Sequence, residues 1–146
     1  MKIAHISDIH CTKGTDFNEK IFEKASRQVN ALEPDFVFVS GDLTTDGLLS
    51  EYELAQQKTK EIASPLFIVP GNHDERNLGF KLFPEFFGET DFVHSVQNVT
   101  LIGLASSEPD KDDGRLGRSR YRKIEDCMKP NKLTIVGFHH HLVPVP

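Results

Sequence analysis

Residues 36–39, Phe-Val-Phe-Val, form an unbroken apolar run bounded by Pro34 on one side and Gly41 on the other. A strand with one wet face alternates apolar and polar residues, whereas a run apolar at every position belongs to a strand covered on both faces. The neighbouring periodicities supply that cover. Lys2 to Ser7 reads as a strand, and Phe17 to Leu32 as a helix with Ile21, Phe22, Ala25, Val29 and Leu32 at helical spacing. Glu33-Pro34-Asp35 ends this helix, because the residue before a proline is pushed out of the helical region. Ser50 reads as the N-cap of a second helix, from about Glu51 to Ala63, and Pro65 opens a third strand, Leu66 to Val69. Two successive strand–helix–strand units require parallel strands with right-handed crossovers. The expected class is therefore α/β.

Beyond residue 80 the pattern changes. Phe80 to Phe87 reads as a short helix, and Phe92 to Val96 with Val99 to Leu104 as two strands joined at Gln97-Asn98. A polar, glycine-containing loop over 106–118 follows, then a helix from Ser119 to Met128 and a strand from Leu133 to Phe138. With 146 residues, 38% of them hydrophobic and 27% charged, and no linker, the expectation is one domain over 1–146. A net charge of −5 argues against general affinity for nucleic acid or an anionic membrane. The first residues lack the apolar run of a secretory signal, so the cytoplasm is the expected location. There Cys11 and Cys127 stay thiols, without a redox role.

Four groups of chemistry-bearing residues each follow a strand: Asp8-Ile9-His10, Gly41-Asp42, Gly71-Asn72-His73-Asp74 and His139-His140-His141. Open sheets with helical crossovers bind ligands beyond the carboxyl ends of their strands, so these side chains are expected to converge in one crevice. Carboxylate, amide oxygen and imidazole suit manganese, iron, zinc or nickel. Taken singly, each has a plainer reading: Asp8 as a helix or turn cap, Asp42 as a turn aspartate, Gly71-Asn72 as a turn. In the longest group Asn72 can ligate through its amide oxygen, His73 can donate a proton and Asp74 can hold that imidazole. His139, directly after an apolar strand, is the better ligand candidate of the triple histidine.

Asp8/His10, Gly41/Asp42 and Gly71/Asn72/His73/Asp74, in this order and after strands, resemble the D-x-H, G-D and G-N-H-D motifs of the calcineurin-like metallophosphoesterase superfamily. The resemblance covers essentially the whole chain. It implies a four-layer α/β/β/α sandwich and a phosphoester hydrolase, foremost a phosphodiesterase, using two divalent metal ions (manganese or iron before zinc or nickel) and a bridging hydroxide. By the same resemblance Asp8 and His10 hold the first metal, Asp42 bridges both, and Asn72 and His139 hold the second, while His73, oriented by Asp74, faces the scissile phosphate. Gly41-Asp42-Leu43-Thr44 and the triple histidine are most similar to the branch containing class III cyclic-nucleotide phosphodiesterases.

One motif of the superfamily, G-H-x-H, does not occur in the chain. The family draws one ligand per metal from it and several strands of the second sheet from the region beyond. The expectation is therefore an N-terminal part of the fold, incomplete at its C-terminal side, with weaker binding of at least one metal. An exposed sheet edge would invite self-association or a partner. Phosphomonoesterase or DNA nuclease activity on the same centre, and a non-catalytic fragment completed by a partner, are the alternatives. Arg115, Arg118 and His140 are substrate-binding candidates; the basic run around the two arginines reads either as a solvated face or as a clamp for a substrate phosphate or nucleic-acid backbone. Packing is the reading for Cys11, and a structural role that for His5 and His94.

Overall fold

The structure, a computed structural model, describes residues 1–14 and 17–143. β1 (Ile3–Ile6), β2 (Phe36–Ser40) and β3 (Leu66–Val69) form a parallel sheet in that order, with Ile3 opposite Phe36 and Val37 opposite Leu66. All five residues of β2 are buried, as its unbroken apolar run requires. Side chains alternate between the two faces of a strand. Val37 and Val39 accordingly join the core beneath the helices with Phe22, Val29, Tyr52 and Phe83, whereas Phe36 and Phe38 join Val69 and Leu101 in a second core.

That second core is closed by a second sheet. β4 (Phe92–Val96) and β5 (Val99–Gly103) are antiparallel across the Gln97-Asn98 connection, and β6 (Leu133–Gly137) pairs in parallel with β5. Gly103 and Gly137 are register partners, and a Cβ on either would lie within 2.3 Å of the Phe92 or Phe38 ring. Glycine there makes room for the aromatic side chains that fill the space between the sheets.

α1 (Glu19–Leu32), α2 (Leu49–Thr59) and α3 (Gly79–Phe87) contribute to the core on the outer face of the first sheet. α4 (Gly117–Cys127) links two parallel neighbours, β5 and β6. The inner face of their sheet is occupied by the first sheet, so this crossover lies on the outer face. The order is helix, sheet, sheet, helix; the fourth layer is thin, since α4 buries none of its residues.

Three expectations shift in detail. α1 buries Phe22, Ser26 and Val29, while Ile21 and Leu32 are exposed. The apolar arc is wider than its seam with the sheet, and Ile21 and Ala25 instead line a groove of about 400 Å³ with Ile6 and Ile9 of the β1 side. α2 is not capped by Ser50: the Glu51 carboxylate accepts the backbone N–H groups of Asp46 (2.8 Å) and Leu48 (3.3 Å), and the helix starts at Leu49, two residues before Glu51. It ends at Thr59, where the N–H groups of Glu61 and Ile62 bond to residues three positions back. No helix among the described residues is long and apolar enough to cross a membrane.

Candidate metal centre

The loops that follow β1 and β2 continue to pair after the strands end. Asp8, His10 and Cys11 donate their backbone N–H groups to the carbonyls of Gly41 (3.1 Å), Asp42 (2.9 Å) and Leu43 (2.7 Å). Along this seam Asp8 (φ 56°), His10 (φ 50°) and Asp42 (φ 54°) adopt the left-handed conformation that L-residues seldom use. The loop after β3 closes on the same place. A Cβ on Gly41 would lie 2.4 Å from the Gly71 nitrogen, and one on Gly71 would lie 2.1 Å from Asp42 Oδ1. Each glycine thus permits the backbone approach that brings Asp42 against the Asn72-His73 turn, where the His73 N–H donates to Asp42 Oδ1 at 3.0 Å.

Asp42 Oδ2 lies between two histidines, 3.8 Å from His10 Nε2 and 3.4 Å from His139 Nε2, and His10 Nε2 is 3.9 Å from Asp8 Oδ1. Two groups of ligand atoms result, each with its members within 4.8 Å of one another: His10, Asp42 and His73, and Asp8, Asp42 and His139. Asp42 belongs to both. Asn72 joins the second group through its Oδ1, 3.1 Å from His139 Nε2. All five residues that the sequence marks as ligands are therefore together, and His73, assigned there to the substrate, lies close enough to offer a ring nitrogen as well.

The donor set fits divalent cations. His139 Nδ1 is 2.8 Å from the Ser40 carbonyl and His73 Nδ1 is 2.6 Å from the Thr45 carbonyl. A carbonyl only accepts, so a proton sits on each Nδ1, and in the neutral ring each Nε2 carries a lone pair. The lone pair of His139 then faces two further acceptors, Asn72 Oδ1 and Asp42 Oδ2. Three converging acceptors require a positive charge among them, supplied by a proton or by a metal ion. Ligand atoms each about 2.1 Å from one ion lie roughly 3 to 4 Å apart, the range found here. Burial works against a charge on His139, but its hydrogen bond to Asp42 outweighs this and lifts its pKa to about 9. Burial likewise opposes ionisation of Asp42, yet His139 and the His73 N–H hold its carboxyl below the usual range.

Asp74 does not orient His73. Its carboxylate is fully buried and accepts from the Thr44 N–H (2.8 Å), the Thr44 hydroxyl (2.9 Å) and the Gly71 N–H (3.0 Å). Its place inside a 3₁₀ turn, His73–Glu75, directs it into the core between two loops, while the Thr45 carbonyl holds the imidazole. His140 is occupied too, by the Ser106 hydroxyl at Nδ1 (2.8 Å) and the Asp112 carbonyl at Nε2 (3.1 Å). Arg115, Arg118 and His140 share a groove of about 390 Å³ with Tyr121 and His141, and none of the five candidate ligands lines it. Arg120, from the same basic run, is bound to both carboxylate oxygens of Asp91. Cys11 is a core residue, His5 bonds to Ser40 Oγ and His94 stacks on Phe67, all structural as expected.

Sequence reasoning overlooked Arg76 and Asp112. Asp112 Oδ1 accepts from Asn72 Nδ2 at 2.9 Å and from Arg76 Nη2 at 3.0 Å. Its only signal is a place in the acidic stretch 110–113, which composition marks as a solvated loop.

Fold and side chains together define an α/β sandwich whose strand-end loops gather His and Asp groups that could hold a metal ion. Residues 1–144 match the family described as calcineurin-like phosphoesterase, and the chain belongs to that family. Among similar proteins, a probable glycerophosphodiester phosphodiesterase of Arcobacter nitrofigilis is 30% identical over 99% of this chain and 59% of its own length. A probable cyclic nucleotide phosphodiesterase of Coxiella burnetii is 26% identical over 99% of the chain and 62% of its own length. A 3',5'-cyclic adenosine monophosphate phosphodiesterase of Pseudomonas aeruginosa is 28% identical over 87% and 46%. The chain thus spans about three fifths of the length of the first two relatives.

Proposed function

We propose that this protein hydrolyses phosphodiesters at a dinuclear centre held by Asp8, His10, Asp42, Asn72 and His139, with Asp42 shared by the two ions. The observation that carries the reading is the position of Asp42 Oδ2 between His10 Nε2 and His139 Nε2, in both groups of ligand atoms. Bound cations, manganese or iron before zinc or nickel, would act as Lewis acids on the phosphoryl oxygens and lower the pKa of water to supply the nucleophile. The rest is done by the chain. The Ser40 and Thr45 carbonyls fix the tautomers of His139 and His73, and the buried Asp42 carboxylate keeps its negative charge between the two histidines. His73, edge-on to His10 at 4.7 Å, would, once protonated at Nε2, give that proton to the departing alkoxide or stabilise the charge developing there. A diester rather than a monoester is favoured by the phosphodiesterase names of the similar proteins. The reducing cytoplasm suits its two free cysteines.

The test is metal content with hydrolysis of bis(p-nitrophenyl) phosphate against p-nitrophenyl phosphate in manganese. Asp42→Asn should lose metal and turnover together, whereas His73→Ala should keep metal and lose about 10²- to 10⁴-fold in rate, the range for general acid–base groups. Unchanged metal content and turnover in Asp42→Asn would overturn the assignment.

A further inference from the structure

The Asn72 side chain can be turned end for end without changing its shape. Its amide presents an oxygen that a cation can use on one side and an NH₂ group that a cation repels on the other. Which end faces His139 is decided by what holds the opposite end. In this chain that partner is a carboxylate: Asp112 Oδ1 takes the Asn72 NH₂ at 2.9 Å, leaving Oδ1 of the amide 3.1 Å from His139 Nε2. A carboxylate has no proton to offer at neutral pH, so the opposite orientation would set oxygen against oxygen there.

Asp112 is itself anchored. Arg76 Nη2 donates to the same Oδ1 at 3.0 Å, and the Asp112 carbonyl accepts from His140 Nε2 at 3.1 Å. The Asp110 carboxylate beside it receives the Asn77 N–H at 2.8 Å. A Cβ on Gly114 would lie 2.2 Å from the His140 ring, so the loop is laid directly on that side chain. Arg76 also reaches the other half of the centre, since its Nη1 is 3.4 Å from the Thr45 carbonyl that holds His73 Nδ1.

We infer that Asp112 and Arg76 are a positioning pair for the centre: Asp112 fixes the Asn72 amide with its oxygen toward the cation held with His139, and Arg76 braces both Asp112 and the carbonyl that orients His73. The inference rests on the proposed metal centre, but not on which phosphoester it hydrolyses. Neither residue touches a reacting atom. Arg76 is committed to Asp112 and lies 3.7 Å from Asp46 Oδ1, so its charge is balanced by carboxylates and is not free to clamp a substrate phosphate.

The experiment is calorimetric titration of the full chain with Mn²⁺ alone, for the unmodified protein, Asp112→Ala, Asp112→Asn, Asn72→Ala and the Asp112→Ala/Asn72→Ala double variant. Thermal midpoints in chelator are recorded alongside. Asp112→Ala should weaken one of the two Mn²⁺ steps by about 10- to 100-fold, the effect of losing a group that orients a ligand, with the midpoint in chelator little changed. Asp112→Asn, whose amide oxygen can still accept the Asn72 NH₂, should recover most of the affinity. In the absence of the Asn72 amide, Asp112→Ala should cost nothing further. Equal losses with and without Asn72, or no loss at all, would overturn the inference while leaving the metal centre standing. An unmodified protein that takes up no Mn²⁺ would overturn both.

Discussion

Replacing Asp74 by alanine separates two roles that the sequence alone leaves together. If this carboxylate oriented His73, the variant would fold normally and turn over slowly. In the structure it instead ties the loop after β2 to the loop after β3, through Thr44 N, Thr44 Oγ1 and Gly71 N. Removing it strands two buried backbone donors, each costing about 1 to 3 kcal/mol, whereas the Thr44 hydroxyl can turn to another acceptor. The expected loss is therefore roughly 2 to 6 kcal/mol, before any cavity term, against a total of about 5 to 15 kcal/mol for a domain. Burial offsets part of this, because it raises the pKa of Asp74 and so makes the ionised carboxylate costly.

Urea unfolding of the chain in chelator reads the effect without any contribution from bound metal. Asp74→Ala should move the midpoint far down or leave the protein unfolded. Asp74→Asn should fall between, since one amide oxygen can serve Thr44 while its NH₂ meets the Gly71 donor. An Asp74→Ala protein as stable as the parent, with metal retained and only turnover reduced, would refute the structural role and restore the histidine-orienting one.

Gly71→Ala places a Cβ 2.1 Å from Asp42 Oδ1, so Mn²⁺ affinity should collapse, whereas Gly14→Ala, with nothing closer than 3.8 Å, should bind as the parent does; equal affinities would refute the close approach. Lys58, almost fully buried, meets Glu19 at 2.6 Å and Glu61 at 2.8 Å, and these two hydrogen bonds, in that order, raise its pKa. A folded pKa above the unfolded one gives stability that is complete below about pH 10 and is lost as pH rises further, so the urea midpoint should fall in alkali and fall less in Lys58→Met. An equal alkaline fall in both proteins would remove Lys58 as the cause. Burial pushes the Cys11 thiol up to about 12, while Cys127 is only half-buried. Iodoacetamide at neutral pH should therefore add one group per chain by mass spectrometry, at Cys127; two additions to the folded protein would contradict the buried position of Cys11.

What could be read from the sequence followed from periodicity and from residues fixed by local covalent geometry. The unbroken Phe36–Val39 run, Pro34 after the first helix and Gln97-Asn98 between two apolar strands each correspond to an element in the structure. The meeting of Asp8, His10, Asp42, Asn72 and His139 followed from their common position after strands. What could not be read are partnerships decided across long separations. Asp74 adjoins His73 in sequence, which suggests a pair, but a 3₁₀ turn sends the two side chains to different partners. Asp112 lies 40 residues from Asn72 in a polar stretch without periodicity, so nothing local marks it.

The backbone itself links the centre to stability in a way no motif shows. Asp8, His10 and Asp42 are proposed ligands, and all three hold left-handed conformations that cost of order 1 kcal/mol or more each for residues other than glycine. Such conformations persist only where surrounding bonds over-determine them. Here the Asp8-to-Cys11 ladder onto Gly41–Leu43 and the contact of Gly41 with Gly71 do so. These are the same contacts that bring Asp42 Oδ2 between His10 and His139. Folding thus holds Asp42 Oδ2 within 4 Å of His10 Nε2 and His139 Nε2. A cation that satisfies them recovers part of that cost as binding free energy and stabilises the fold by the same linkage.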